Sequence, residues 1–102
     1  GDIQLPTIVK DREHVFHLFT IRTKYRNKLK EFLSSKGIST IINYPKPLPL
    51  LPCYSKHNLN EERFKNAKDV CNSLLCLPLY PELDFESQDY IITSIVSFFK
   101  SI

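Results

Sequence analysis

A chain of 102 residues with 42% apolar and 25% charged side chains has the size and composition of one globular domain. Its net charge of +3 demands no polyanionic partner, and no apolar run approaches the ~20 residues that cross a bilayer. With only Gly1 and Gly37, the chain has too little glycine for disorder or for a loop that cradles a phosphate.

No charged-then-apolar leader opens the chain, and its start at Gly1 instead of methionine is not expected to be a natural one. Cys53, Cys71 and Cys76 are an odd set without the dense spacing of a secreted disulfide scaffold. Cys71 and Cys76 lie five apart, which fits no common zinc knuckle. Reduced thiols in a cytoplasmic protein, with no metal, are the expectation.

Residues 1 to 13 read as a polar lead-in around Leu5-Pro6-Thr7. The run from His14 to Thr23 is rich in β-branched and aromatic residues and predicts a strand. Both of its faces carry apolar side chains, which implies cover on both sides over part of its length. His14 and His17 are three apart, so on a strand they point to opposite faces and cannot share a metal ion. His17 reads as a hydrogen-bonded, partly buried histidine.

Tyr25, Leu29, Phe32 and Leu33 recur at helical spacing and predict a helix over residues 25 to 36, with Thr23 as cap and Gly37 as left-handed stop. Lys24, Arg26, Lys28 and Lys30 fall mainly off that stripe and read as a solvated face. Residues 38 to 42 predict a second strand. Ile42 to Pro52 then holds four of the seven prolines, a stiff, extended arm that can join neither helix nor ladder interior. Asn60 with Glu61 and Glu62 begins a helix over 61 to 74; residues 75 to 78 are a brief third strand; Asp84 caps a helix over 85 to 100. Glu82, Asp84, Glu86 and Asp89 cluster about that last helix start, where capping accounts for them. The result is an α+β domain, residues 1–102, with a small three-stranded sheet packed with helices. The apolar arm and first strand call for a further cover from another domain or chain.

The wording of the arm carries more than its composition. Gly37-Ile38-Ser39-Thr40-Ile41-Ile42-Asn43-Tyr44-Pro45, then Pro47, Pro52 and Tyr54, and later Leu77-Pro78-Leu79-Tyr80-Pro81-Glu82-Leu83, resemble the C-terminal small domain of the DegT/DnrJ/EryC1/StrS sugar aminotransferases. Leu5-Pro6-Thr7 and the His14 to Phe19 run extend the resemblance over nearly the whole chain, and two separated motifs in the right order make it specific.

The resemblance implies the small domain of a fold type I transferase that uses pyridoxal phosphate. In that family the Schiff-base lysine and the phosphate contacts lie in a larger N-terminal domain, so no catalytic residue is expected here. It implies as partners that large domain, a homodimer, and glutamate and a keto-sugar nucleotide as substrates, with no nucleic acid and no membrane. It places Asn43 and Tyr44 at the substrate, with Lys46 a candidate for the nucleotide phosphates. Much of the family writes Ile-His-Tyr-Pro and a second histidine after the prolines; here those positions are Asn43 and Pro49. Asn keeps a donor and an acceptor but loses the titrating proton, so binding and not proton transfer is expected. Asn-Tyr-Pro followed by Leu-Pro is similar to the branch acting on thymidine-diphosphate-linked 3-keto-6-deoxyhexoses. The residues alone leave two alternatives open: a free-standing nucleotide- or RNA-binding module and a structural dimerisation domain.

Overall fold

A computed structural model describes residues 1–102. In chain order the elements are β1 (Phe19–Arg22), α1 (Arg26–Ser35), α2 (Lys65–Ser73), β2 (Leu74–Leu77) and α3 (Phe85–Ser101), with 3-10 turns at Leu48–Leu50, Pro52–His57 and Glu61–Phe64. β1 and β2 pair antiparallel, Thr20 opposite Cys76 and Ile21 opposite Leu75. Single bridges extend this pair on both edges: Ile41 joins Cys76, and Gln4 joins Arg22. The architecture is the α+β one read from the sequence.

The sheet is narrower than the three strands expected. Residues 38 to 42 supply one bridge, through Ile41 N–H to the Cys76 carbonyl at 3.1 Å and the reverse bond at 2.8 Å. The preceding carbonyl, of Thr40, accepts instead from Lys30 Nζ at 3.0 Å, and the chain bends at Asn43, so the ladder cannot lengthen. The first strand also starts late. Phe16 lies in the left-handed region at φ 48°, which turns His14–Leu18 off the extended path. His17 is accordingly exposed, not partly buried.

One face of the sheet makes the core. Ile21 and Leu75, facing each other across the pair, meet Leu29 and Leu33 of α1, Ile38, and Ile91, Ile95 and Phe98 of α3. Leu29 and Leu33 belong to the stripe read from the sequence for α1, and Ile91, Ile95 and Phe98 recur at the same helical spacing on α3. Gly37 ends α1 at φ 76°, where its N–H reaches the Ser34 carbonyl and the Ile38 N–H reaches Leu33. That pair of bonds is a Schellman motif, and it drops Ile38 into the core beside Leu33. Asp84 caps α3, its Oδ1 accepting from the Ser87 N–H at 2.7 Å. Thr23 does not cap α1 itself; its hydroxyl accepts from Tyr25 N–H one turn earlier.

The basic cluster on α1 is put to structural use. Arg26 donates to the carbonyls of Cys71, in the last turn of α2, and of Leu74, where β2 begins, and Lys30 holds Thr40. The proline arm is likewise not extended throughout. Pro47 and Leu51 are extended, but 3-10 turns follow each, because proline's fixed φ suits a first helical position equally well.

The fold is poorly covered. Its accessible surface is 8016 Å², where a compact chain of this size exposes about 5,900 Å². Its radius of gyration is 15.8 Å against about 13 Å for a compact domain. The excess surface is well above the ~800 Å² that one partner contributes to a standard interface.

Two outcomes check these assignments. Gly37→Ala places a side chain in open space but at a left-handed φ, so unfolding in urea should show a loss of about 1 kcal/mol with unchanged slope. At the α3 cap, hydrogen bonds from Ser87 hold the Asp84 carboxyl below its ordinary value. A depressed pKa contributes stability above the unfolded value, near ~3.9, that is lost as pH falls through the folded one. Asp84→Asn keeps a capping oxygen without the titration, so the acid limb of a stability–pH curve should flatten in that variant.

Candidate functional site

Asn43, Tyr44 and Lys46 occupy the segment that leaves the sheet after the Ile41 bridge. Main-chain bonds between Ile41 and Cys76 tie it to the sheet before it, and a local turn bond from Leu50 N–H to the Pro47 carbonyl closes the 3-10 turn after it. Between them Pro45 and Pro47 restrict the backbone, so the side chains are presented at low entropic cost. The Asn43–Tyr44 peptide is cis. Asn43 is half-buried, Tyr44 is 71% exposed and Lys46 is exposed. The structure thus brings the three residues together on one presenting segment and leaves Tyr44 and Lys46 in solvent. Next to its root, the Thr40 hydroxyl is buried without a hydrogen-bond partner in the chain.

A second feature lies elsewhere. A groove of about 930 Å³ runs between residues 37–41, the 77–83 turn and the first half of α3. Leu18, Ile38, Ile41 and Leu77 give it an apolar floor, and Glu86 and Asp89 give it an acidic wall. None of Asn43, Tyr44 and Lys46 lines it; Ile41 is the nearest point of contact between groove and arm. Its volume falls in the range of ligand pockets. Two carboxylates on the wall, however, repel a diphosphate, whereas an apolar protein surface with a basic group would suit it. The groove therefore reads as a docking face. Sequence reasoning assigned its acidic residues to capping alone; the clue it passed over was that Glu86 and Asp89 lie beyond the cap that Asp84 already supplies.

Gly37 is spent on the α1 stop, so no glycine remains inside the chain to let a backbone wrap a phosphate. Lys30 is held by the Thr40 carbonyl and Lys68 by Glu61. No three potential metal ligands converge. No helix is long and apolar enough to cross a membrane.

Residues 1–96 match the DegT/DnrJ/EryC1/StrS aminotransferase family. The chain belongs to this family. Its members are pyridoxal-phosphate-dependent aminotransferases. The chain is 38% identical over 101 residues to the pleiotropic regulatory protein of Geobacillus stearothermophilus, covering 98% of this chain and 27% of that one. It is 37% identical over 82 residues to the dTDP-3-amino-3,4,6-trideoxy-alpha-D-glucose transaminase of Streptomyces venezuelae, covering 80% and 22%. In three dimensions it matches S. venezuelae DesV, solved in complex with a ketimine intermediate, at TM-score 0.91 and 32% identity, over 96% of this chain and 26% of DesV. This DegT/DnrJ/EryC1/StrS chain therefore spans about a quarter of the length of the relatives it matches. The match is consistent with the C-terminal part of such an enzyme.

Proposed function

We propose that this chain is the small C-terminal domain of a pyridoxal-phosphate-dependent sugar aminotransferase and that it completes the substrate cleft. The intact enzyme transfers an amino group from glutamate to a keto-sugar nucleotide in deoxyamino-sugar biosynthesis of the polysaccharide or O-antigen type. The favoured substrate is a thymidine-diphosphate-linked 3-keto-6-deoxyhexose, and the enzyme works as a cytoplasmic homodimer. The cofactor supplies the electron sink and is held by the large domain; this chain's part is to bind and orient the sugar. The observation that carries the reading is the Asn43-Tyr44-Pro45-Lys46 segment, tied to the sheet at Ile41, with Tyr44 and Lys46 exposed, in a chain of this family.

Asn43 offers a carboxamide donor and acceptor to sugar hydroxyls, and Tyr44 offers a ring face with a phenolic hydroxyl. Lys46 offers a mobile point charge to the phosphates. Because asparagine does not titrate, Asn43 positions the substrate and moves no proton.

In the full-length enzyme, Asn43→Ala removes a neutral hydrogen bond, worth roughly 0.5–1.5 kcal/mol. The Michaelis constant for the sugar nucleotide should rise several-fold while the glutamate half-reaction stays nearly unchanged. A fall in both half-reactions together with the melting temperature would instead mark Asn43 as structural. The 102-residue chain mixed with pyridoxal phosphate and borohydride should yield no single trapped lysine; peptide mapping that finds one would overturn the assignment of the cofactor to the large domain.

A further inference from the structure

The left-handed bend at Phe16 builds something specific. A bulky side chain at φ 48° is a backbone outlier, and such strain persists only where local structure holds it. Here the Phe16 N–H donates to His14 Nδ1 at 2.8 Å. The same bend sets the two rings face to face, with centroids 4.2 Å apart and planes 23° from parallel. Phe19 continues the column at 5.8 Å and 29°. Phe19 packs against the core, Phe16 is half-buried and His14 is exposed. Three near-parallel rings therefore run from the interior to the surface and end on an open imidazole face.

Such a column is a stacking platform for a planar heterocycle, since every base has a π-face that can add to it. The acceptor role of Nδ1 leaves the proton of the neutral ring on Nε2, a donor at the rim. Its placement also suits an extended ligand. Thr20 and Ile41 flank Cys76, and both pairings are antiparallel, so the ring column and the Asn43 arm leave the sheet from opposite ends. Three residues along and two strands across place Asn43 roughly 14 Å from Phe19, the root of the column, and His14 lies two ring steps beyond that root.

We propose that His14, Phe16 and Phe19 form a stacking site for the nucleobase of the substrate, with His14 the contact ring. This rests on the reading that the substrate is a nucleotide-linked sugar, but it can fail separately from the role given to Asn43.

The test is an NMR titration of the isotopically labelled 102-residue chain with thymidine diphosphate, with thymidine, with pyrophosphate and with phenol. Thymidine and thymidine diphosphate should produce saturable millimolar-range upfield shifts at the His14 and Phe16 rings, and pyrophosphate should not. His14→Ala should weaken thymidine binding at least threefold and His14→Phe should restore it, with the core resonances unchanged in both. The proposal is overturned if the 14–19 resonances stay still, if pyrophosphate moves them equally, or if phenol binds as well as thymidine, which would mark an unspecific aromatic patch. If His14→Ala disturbs the core resonances, the shift map of the unsubstituted chain decides alone. Shifts at Asn43 to Lys46 without shifts at His14 would remove the base site and leave the arm reading standing. Shifts at His14 with an unaltered sugar half-reaction in Asn43→Ala would do the reverse.

Discussion

Cys76 is the hinge pin of the domain. Its main chain bonds Ile41 on one side while Thr20 pairs with it on the other, so one residue of β2 ties the arm's root to β1. Its side chain is buried and lies 3.3 Å from the Thr20 hydroxyl. Everything that presents chemistry hangs from this cross-tie. The 14–18 bend enters it through β1, the arm leaves it at Ile41, and the groove floor is built from residues next to it. Where a wide sheet would hold these segments with many ladder bonds, this one depends on a few, and those of β1 and the arm's root meet on β2.

The helices were legible because their cause is local. Leu29 and Leu33, or Ile91, Ile95 and Phe98, recur at the helical period, and Gly37 and Asp84 mark the ends that the hydrogen bonds confirm. The strands were less so. His14 to Leu18 has the β-branched and aromatic composition of a strand, yet a side-chain bond from His14 turns the backbone at Phe16. Residues 38 to 42 have the composition too, but the Thr40 carbonyl is claimed by a lysine ten residues back. In both cases one side chain competes with the ladder for a main-chain group, and composition carries no sign of that competition.

The arm shows a different limit. Its residues stand out by their resemblance to a family motif; in the structure Tyr44 and Lys46 are exposed and Asn43 is half-buried. Four prolines suggested one extended rod, whereas the chain winds into two 3-10 turns. Proline restricts φ and leaves ψ free, so it marks a stiff segment without fixing which stiff shape results. The groove was legible only in part, because its floor comes from four separate stretches of chain that only the fold brings together.

The ties of Arg26 to the last carbonyls of α2 bear on how the domain comes apart. α2 buries no residue fully, and it is held by Arg26, by the Arg22–Ser73 bond and by its run into β2. Polar ties of this kind are exchanged for water at little cost, whereas α1 and α3 must expose a shared apolar seam to separate. The segment from the proline turns through α2 is therefore the domain's weakest cooperative unit, and its amides should exchange with solvent through local opening while those of α1 and α3 wait for global unfolding. A domain built this way has a firm floor under the ring column and a soft flank beside the arm, so cover by the rest of an enzyme can order the flank without disturbing the core.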